Sequence, residues 1–318
     1  MRGSSSSSSR REFLKASVTA TCSVGLGGSA LAEILSVPPA EPSAPNAATS
    51  LPRAGSLKLK KGVVFDMLPA KLSYADRLKM ARDVGLDVVQ APTTPDENQA
   101  EELKKAADEA GIRIDSVMNM DHWKYPLSSS DPAVVEKSLA GMRTSLKNAK
   151  VWGSDAVLLV PAVVNPQTPY RDAWTRSQKQ IRTLLPFAEE EKVVIAIEEV
   201  WNKFLLSPLE MASYIAEFQS PWIKAWFDVG NVVLYGYPQD WIRVLGPSIA
   251  KVHLKDFKRN EDGYAWVNLG EGDVDWAAVR QAFLSVGYSG CVIAELKSGD
   301  EDYLKDVSAR IDRLLLGA

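Results

Sequence analysis

From about residue 57 onward, short strand-like runs alternate with helix-like segments, and this alternation constrains the fold more than any other feature of the sequence. Eight apolar runs have strand length: GVVFDML (62–68), DVVQA (87–91), RIDSVM (113–118), DAVLLVP (155–161), VVIAIE (193–198), KAWFD (224–228), AKVHL (250–254) and CVIAEL (291–296). Eight strand–helix units match the (β/α)8 TIM barrel in number and length. An open doubly wound sheet would rarely need eight strands. The sequence therefore predicts an α/β fold with a closed barrel over residues 57–318.

The segments between the runs carry helix signals. Asp131-Pro132 and Ser207-Pro208 each place a capping residue before a proline at the first helical position. Gly111 stands where the second helix should end. One predicted helix face collects apolar residues at spacings of four and three: Val135, Leu139, Met142, Leu146 and Ala149.

Residues 1–32 have the pattern of a twin-arginine export signal. SRREFLK (9–15) precedes a mildly apolar run that ends in the small-residue triplet Ala30-Leu31-Ala32. The run is short and rich in Gly, Ser and Thr, which disfavours a membrane anchor. Residues 33–56 are rich in Pro, Ala and Ser and predict a flexible linker. We therefore expect transient binding to the twin-arginine machinery and export to the periplasm or another compartment outside the cytoplasm.

Charge and cysteine content narrow the class of protein. The whole chain has a formal net charge of −3. Loss of residues 1–32 would leave 33 basic and 39 acidic residues, so nothing in the charge favours a nucleic-acid partner. Cys291 would then be the only cysteine, which excludes an intramolecular disulfide.

Four polar residues fall at the ends of the last four predicted strands. Alternate residues of a barrel strand point inward, and active sites collect at the carboxyl ends of the strands. His253 lies in KVHLKDF (251–257), on the same strand face as Lys251 and Lys255. Strand parity places four residues at the open carboxyl end of the barrel, which we call its mouth. They are Glu198, Asp228, His253 and Glu295, separated by 30, 25 and 42 positions.

Three carboxylates and an imidazole form an oxygen-rich ligand set. Such a set suits one divalent ion, Mn²⁺, Mg²⁺ or Co²⁺, better than a thiolate-preferring metal. The alternative is that Asp228 and Glu295 form ion pairs with Lys251, Lys255 or Lys297 inside the barrel. Four such residues in register on consecutive strands favour the metal site.

The chain resembles the xylose isomerase-like barrels of sugar phosphate isomerases and epimerases from about residue 60 to its end. The resemblance rests on IAIEEVWNKFLLSP (195–208), AWFDVGN (225–231), KVHLKDFKR (251–259), LGEGDVDW (269–276) and GCVIAEL (290–296). It implies that Glu198, Asp228, His253 and Glu295 hold the metal, and that Glu198 and Glu295 also act as the acid–base pair. The metal would stabilise an enediolate while one glutamate removes a proton and the other returns one.

Further residues are candidates for contact with substrate, each with a structural alternative. His122, in the loop after the third strand, either touches substrate or is exposed. Trp201 stacks on a sugar or shields the pocket, and Lys255 and Arg259 bind substrate or form ion pairs. The family resemblance adds Asn231, where many relatives have His. Gln90 stands where many relatives have Glu, and strand parity points Glu199 away from the site.

These features predict a metal-dependent enzyme that isomerises or epimerises a small sugar or keto-sugar. A keto-sugar lyase or hydratase with the same metal site is the first alternative, and a non-catalytic sugar-binding barrel is the second. Apurinic/apyrimidinic endonucleases of the same superfamily use several histidines, whereas this chain has two. The sequence predicts no nucleic-acid partner and no membrane anchor, and it leaves homo-oligomerisation open.

Overall fold

The computed structural model describes residues 57–260 and 263–317, so the predicted signal and linker lie outside the described residues. The strands are β1 (Lys60–Val64), β2 (Val88–Pro92), β3 (Arg113–Met118), β4 (Ala156–Leu159), β5 (Val194–Glu198), β6 (Ile223–Asp228), β7 (Ile249–Leu254), β8 (Asp256–Asn260), β9 (Gly263–Val267) and β10 (Cys291–Ala294). Strands β1–β7 and β10 close a barrel in the order β1-β10-β7-β6-β5-β4-β3-β2. Every neighbouring pair in it is parallel. The predicted TIM barrel is confirmed.

Eight helices accompany the strands in the described residues: α1 (Tyr74–Asp83), α2 (Glu97–Ala110), α3 (Pro132–Trp152), α4 (Tyr170–Glu191), α5 (Pro208–Ala216), α6 (Pro238–Leu245), α7 (Trp276–Val286) and α8 (Glu301–Ile311). The predicted caps are present, since Asp131 accepts from the Ala133 amide and Ser207 from the Glu210 amide. Gly111 ends α2 with φ 69°. None of the helices in these residues is both long and apolar enough to cross a bilayer.

The ends of the first and last barrel strands differ from the sequence prediction. β1 stops at Val64, and Phe65–Met67 turn into a 3₁₀ helix whose Met67 is buried. β10 ends at Ala294, so Glu295 follows the strand directly. A charged side chain at this position can leave the packed interior and face the mouth.

The amino end of the barrel is closed by a cluster of charged residues. Lys251 on β7 reaches across the interior, and its Nζ lies 2.6 Å from Asp115 Oδ2 and 2.6 Å from Asp155 Oδ1. Arg113 adds a 2.9 Å contact with Asp155. Burial alone would lower the pKa of Lys251, but the two aspartates raise it. This lysine therefore stays charged at the opposite end from His253.

A β-hairpin that the sequence analysis did not predict follows β7 at the carboxyl end of the barrel. β8 and β9 pair in antiparallel register from Asp256↔Val267 to Asn260↔Gly263. Asp256 is fully buried and accepts hydrogen bonds from the amides of Phe257 and Gly270 and from Trp276 Nε1, at 2.9, 2.7 and 2.9 Å. The loop before α7 is thereby fixed to the base of the hairpin.

Candidate active site

The structure brings the four predicted ligands together at the carboxyl end of the barrel. Glu198 and Asp228 are the last residues of β5 and β6, His253 is the penultimate residue of β7, and Glu295 follows β10. One donor atom from each lies within 4.8 Å of all the others. Only the Glu295 side chain is substantially open, with 30% exposure. Strand order explains the convergence, because these four strands are neighbours in the barrel.

The two ring nitrogens of His253 face different partners. Nδ1 lies 2.9 Å from Glu198 Oε1, 2.9 Å from Glu295 Oε2 and 3.9 Å from Asp228 Oδ2. Nε2 lies 2.8 Å from Gln90 Oε1 on the far side of the ring. Because a carbonyl oxygen can only accept, Nε2–H donates to Gln90. Nδ1 is therefore the nitrogen that faces the carboxylates.

His253 is charged at neutral pH in the protein without a metal. Full burial alone would lower the pKa of the imidazole, but the Glu295 carboxylate and the hydrogen bond with Glu198 raise it from 6.5 to about 9. A cation that binds Nδ1 must displace this proton. Metal affinity at the four residues should consequently increase with pH.

The two glutamates differ in their protonation behaviour. Burial raises the pKa of Glu198, against the opposing effect of His253. Burial acts in the same direction on Glu295, but the positive charges of His253 and Lys255 prevail and lower its pKa. Two carboxyl groups whose pKa values are driven apart are suited to serve as an acid and a base.

Asp228 is held by the backbone and by Lys255. Its Oδ1 accepts from the amides of Gly230 and Asn231 at 2.8 and 3.1 Å. Lys255 Nζ lies 2.9 Å from Asp228 Oδ2 and 2.8 Å from Glu295 Oε2, so the ion pairs considered in the sequence analysis occur with this lysine. Burial would lower the pKa of Lys255, but Asp228 and Glu295 raise it.

The arrangement fits a single divalent cation. Buried Asp228 Oδ2 has the Lys255 ammonium group at 2.9 Å as its counter-charge and lies within reach of the other three donor atoms. Three carboxylate oxygens and an imidazole nitrogen form the hard donor set that Mn²⁺, Mg²⁺ and Co²⁺ accept.

His122 and Trp201 are both packed into the mouth of the barrel. His122 is buried, which contradicts the alternative that it is exposed, and burial lowers its pKa to about 4. Its Nδ1 accepts from the Val160 amide at 3.4 Å. Trp201 donates from Nε1 to the Asn231 carbonyl oxygen at 3.0 Å and stacks on Trp266, with ring centroids 5.0 Å apart.

Asn231 and Arg259 are tied to the backbone. The Asn231 side-chain amide donates to the Glu199 carbonyl oxygen at 3.2 Å. The exposed Arg259 donates from its guanidinium to the Val233 carbonyl oxygen at 2.6 Å, which fastens the hairpin to the loop after β6. The structure therefore does not pair Arg259 with the four clustered residues.

The sequence analysis assigned no role at the site to three residues that lie near it. Gln90 was noted only as a departure from relatives, yet it holds His253 across the barrel. Trp226 packs edge-on against the His253 ring at a centroid distance of 4.8 Å. Glu199 is 1% exposed, and burial followed by the charges of Asp228 and Glu198 raises its pKa well above the usual value. Glu199 is not one of the four clustered residues, and the orientation of its side chain away from the site stays a prediction.

A cavity of about 540 Å³ opens beside Glu295. Glu295 and Lys255 form its inner wall, and Trp266 on β9 lies further out. The partly exposed Glu295 carboxylate is therefore the member of the four-residue cluster that faces this space.

Comparisons with known proteins agree with this architecture. L-ribulose-5-phosphate 3-epimerase UlaE of Escherichia coli O1:K1 / APEC is 25% identical over 254 residues, covering 76% of this chain and 89% of that protein. A crystal structure of D-psicose 3-epimerase in the presence of D-fructose shares the fold, with a TM-score of 0.67, 16% identity and coverage of 82% of this chain and 100% of that one. Apo 3-keto-D-glucoside 4-epimerase YcjR from E. coli also has a TM-score of 0.67, at 15% identity, covering 81% and 99% of the two chains.

A family model supplies the assignment. The model for the xylose isomerase-like TIM barrel matches residues 78–314, which extend from α1 to the end of the barrel and include all four clustered residues. The chain belongs to the xylose isomerase-like TIM barrel family.

Proposed function

We propose that this protein is a metal-dependent isomerase or epimerase that acts on a sugar or keto-sugar. One observation carries the proposal: three carboxylates and the Nδ1 of His253 converge within 4.8 Å at the mouth of the barrel. The similarity to UlaE, a sugar epimerase by name, supports the choice of reaction class.

The residues that would hold the cation are Glu198, Asp228, His253 and Glu295. A bound Mn²⁺, Mg²⁺ or Co²⁺ would supply Lewis acidity that makes the proton beside a carbonyl removable and stabilises the resulting enediolate. Asp228 is prepared for this role by the two amides that fix its Oδ1. Gln90 is prepared to orient the His253 ring.

Glu295 and Glu198 would divide the proton transfers between them. Glu295 has a lowered pKa and faces the cavity, so it is ionised and ready to accept a proton from substrate. Glu198, on the neighbouring side of His253 Nδ1, would be the partner that returns a proton. Removal from one face of a carbon and return to the other inverts that centre. Transfer between neighbouring carbons would give an isomer, and loss of a β-substituent would give the lyase reaction.

The pattern of the N-terminal residues extends the proposal to the protein's location. We infer that residues 1–32 direct export of the folded protein through the twin-arginine machinery, as the paired arginines at 10 and 11 suggest. Export after folding would let the metal load in the cytoplasm.

Metal analysis and one substitution test the proposed chemistry. The purified protein should contain about one divalent ion per chain, and Glu295→Gln should slow deuterium incorporation from solvent into substrate by about 10²–10⁴-fold. The substrate screen covers free ketoses, ketose phosphates and 3-keto-glycosides in deuterated water with Mn²⁺. Glu301→Gln makes the same chemical change at an exposed position in the first turn of α8 and should retain full exchange. Unchanged exchange in Glu295→Gln would remove that residue from the proposed pair.

A further inference from the structure

The cavity beside Glu295 is larger than the proposed reaction on a monosaccharide requires. Its volume of about 540 Å³ lies within the range of about 300–1,000 Å³ found for sites that enclose ligands of drug size. A single hexose is smaller than such ligands. Glu295 and Lys255 form the inner wall, so the extra space is continuous with the candidate metal site.

The outer wall of the cavity presents an aromatic ring. Trp266 lines the cavity and is 45% exposed. Trp201 stacks on it with ring planes at 22°, which holds the indole in a fixed orientation. Phe257 packs edge-on against it at 5.5 Å. Lys255 Nζ lies over the same ring at 5.5 Å from its centre, so the exposed part of the indole beyond this lysine is the apolar surface that remains for the C–H groups of a sugar ring.

The charges around the cavity favour a neutral ligand over a phosphate. Two lysines and two glutamates line it, and most are already paired: Lys255 with Asp228 and Glu295, and Glu271 with Arg310 at 2.8 Å. Lys297 has no carboxylate partner within residues 57–260 and 263–317, and it lies 5.6 Å from the centre of the Tyr303 ring. A dianionic phosphate is usually bound by several charged or backbone donors. One unpaired lysine balances only part of a dianion's charge, whereas it can donate a complete hydrogen bond to a hydroxyl group of a neutral sugar.

We propose that the outer part of this cavity, beside Trp266, is a subsite for a second, uncharged sugar ring, while the reacting keto-sugar occupies the inner part beside Glu295 and the other three clustered residues. The substrate class is therefore a glycosylated keto-sugar. The inference rests on the proposed function, because it places the reacting unit at Glu198, Asp228, His253 and Glu295. Asn268 and Lys297 provide the polar contacts for the hydroxyl groups of the second ring.

Three probes that differ at one oxygen test the subsite. They are D-fructose, D-fructose 6-phosphate and isomaltulose, which is fructose with a glucose on the same oxygen. Binding to the Mn²⁺-loaded protein is measured by isothermal titration calorimetry. We expect isomaltulose to bind about tenfold more tightly than fructose, and the phosphate to bind within about twofold of fructose.

Substitutions of Trp266 locate the effect. Trp266→Leu should abolish the advantage of isomaltulose and leave fructose binding unchanged. Trp266→Phe retains a ring against Trp201 and should reduce the affinity ratio of isomaltulose to fructose only about threefold. This variant replaces Trp266→Leu in the test if the leucine variant does not fold. Tyr237→Leu removes a ring that is 71% exposed outside the cavity lining, and it should change nothing.

The outcomes separate this inference from the proposed reaction. Equal binding of isomaltulose and fructose, a preference for the phosphate, or an advantage that survives in Trp266→Leu would overturn the subsite. Solvent-deuterium exchange is measured in parallel on the same samples. If deuterium enters a sugar but isomaltulose binds no more tightly than fructose, the proposed reaction stands and the subsite is ruled out. If isomaltulose binds more tightly but no screened sugar takes up deuterium, the subsite stands and the proposed reaction is contradicted.

Discussion

His253 illustrates how a single residue is assigned two functions by its neighbours. Nε2–H is committed to Gln90, and Nδ1 is left to the three carboxylates. Ligating histidines generally have such a partner on the second nitrogen, which fixes the ring and the tautomer. The contact crosses the barrel between residues 163 positions apart, so no local pattern in the sequence reveals it. His253 itself was recognisable as a candidate ligand, because a histidine with inward parity at a strand end is unusual.

At the residue scale, we predict that Gln90→Leu weakens Mn²⁺ binding by about 10–100-fold, since the ring loses its orienting acceptor. The measurement is a chelator-competition titration at constant pH, together with thermal unfolding of the metal-free protein as a check on folding. Gln90→Glu retains an acceptor and should keep affinity close to that of the native protein. Equal affinities for the leucine variant and the native protein would show that Gln90 does not position His253.

The β8–β9 hairpin is the element that the sequence analysis missed. Asp256–Asn260 follow β7 after one residue, so this segment reads as the loop of the last barrel unit. An Asp-Gly pair at 262–263 is a hairpin signal, and it offered the available clue. The helix caps were predictable because each depends on residues within one turn. The packing of Trp201 on Trp266 was not, because it joins the loop after β5 to strand β9.

At the element scale, Asp256→Ala should lower the free energy of unfolding by about 3 kcal/mol, because buried amides and an indole N–H lose a charged acceptor. Urea denaturation followed by circular dichroism measures the change. Asp275→Ala removes only the cap of α7, which accepts from the Ala278 amide, and should cost about 1 kcal/mol. A smaller loss of stability for Asp256→Ala than for Asp275→Ala would show that Asp256 does not fix the loop before α7 to the base of the hairpin.

At the scale of the whole molecule, two clusters of charged residues lie at different ends of the barrel, one structural and the other the candidate catalytic site. Lys251 on β7 closes the amino end of the barrel with Asp115 and Asp155, while His253 on the same strand faces the mouth. The eight-unit count predicted the barrel, and strand parity predicted four residues in one mouth. Parity could not decide which end each lysine of KVHLKDF would occupy. That depends on the depth of each position along the barrel axis.

At the scale of the molecule, Lys251→Met should lower the free energy of unfolding by about 3–5 kcal/mol, because Asp115 is left buried without its main counter-charge. Urea denaturation gives the stability, and solvent-deuterium exchange per folded molecule gives the activity, which should be unchanged. Adding Asp115→Leu should restore most of the lost stability. An equal loss in the single and double variants would show that the uncompensated charge is not the cause.

The register between β6 and β7 has a consequence for the redesign of this protein. Ala225 pairs with Ile249 and Trp226 with Lys251, so Ala250 is passed over, and only beyond that irregularity do Asp228 and His253 stand opposite each other. The spacing between the Asp228 and His253 side chains thus depends on a backbone irregularity two residues before Asp228. A library that varies the loops at the mouth would leave this register intact, whereas an insertion or deletion near position 250 would shift the two side chains relative to each other without replacing either of them.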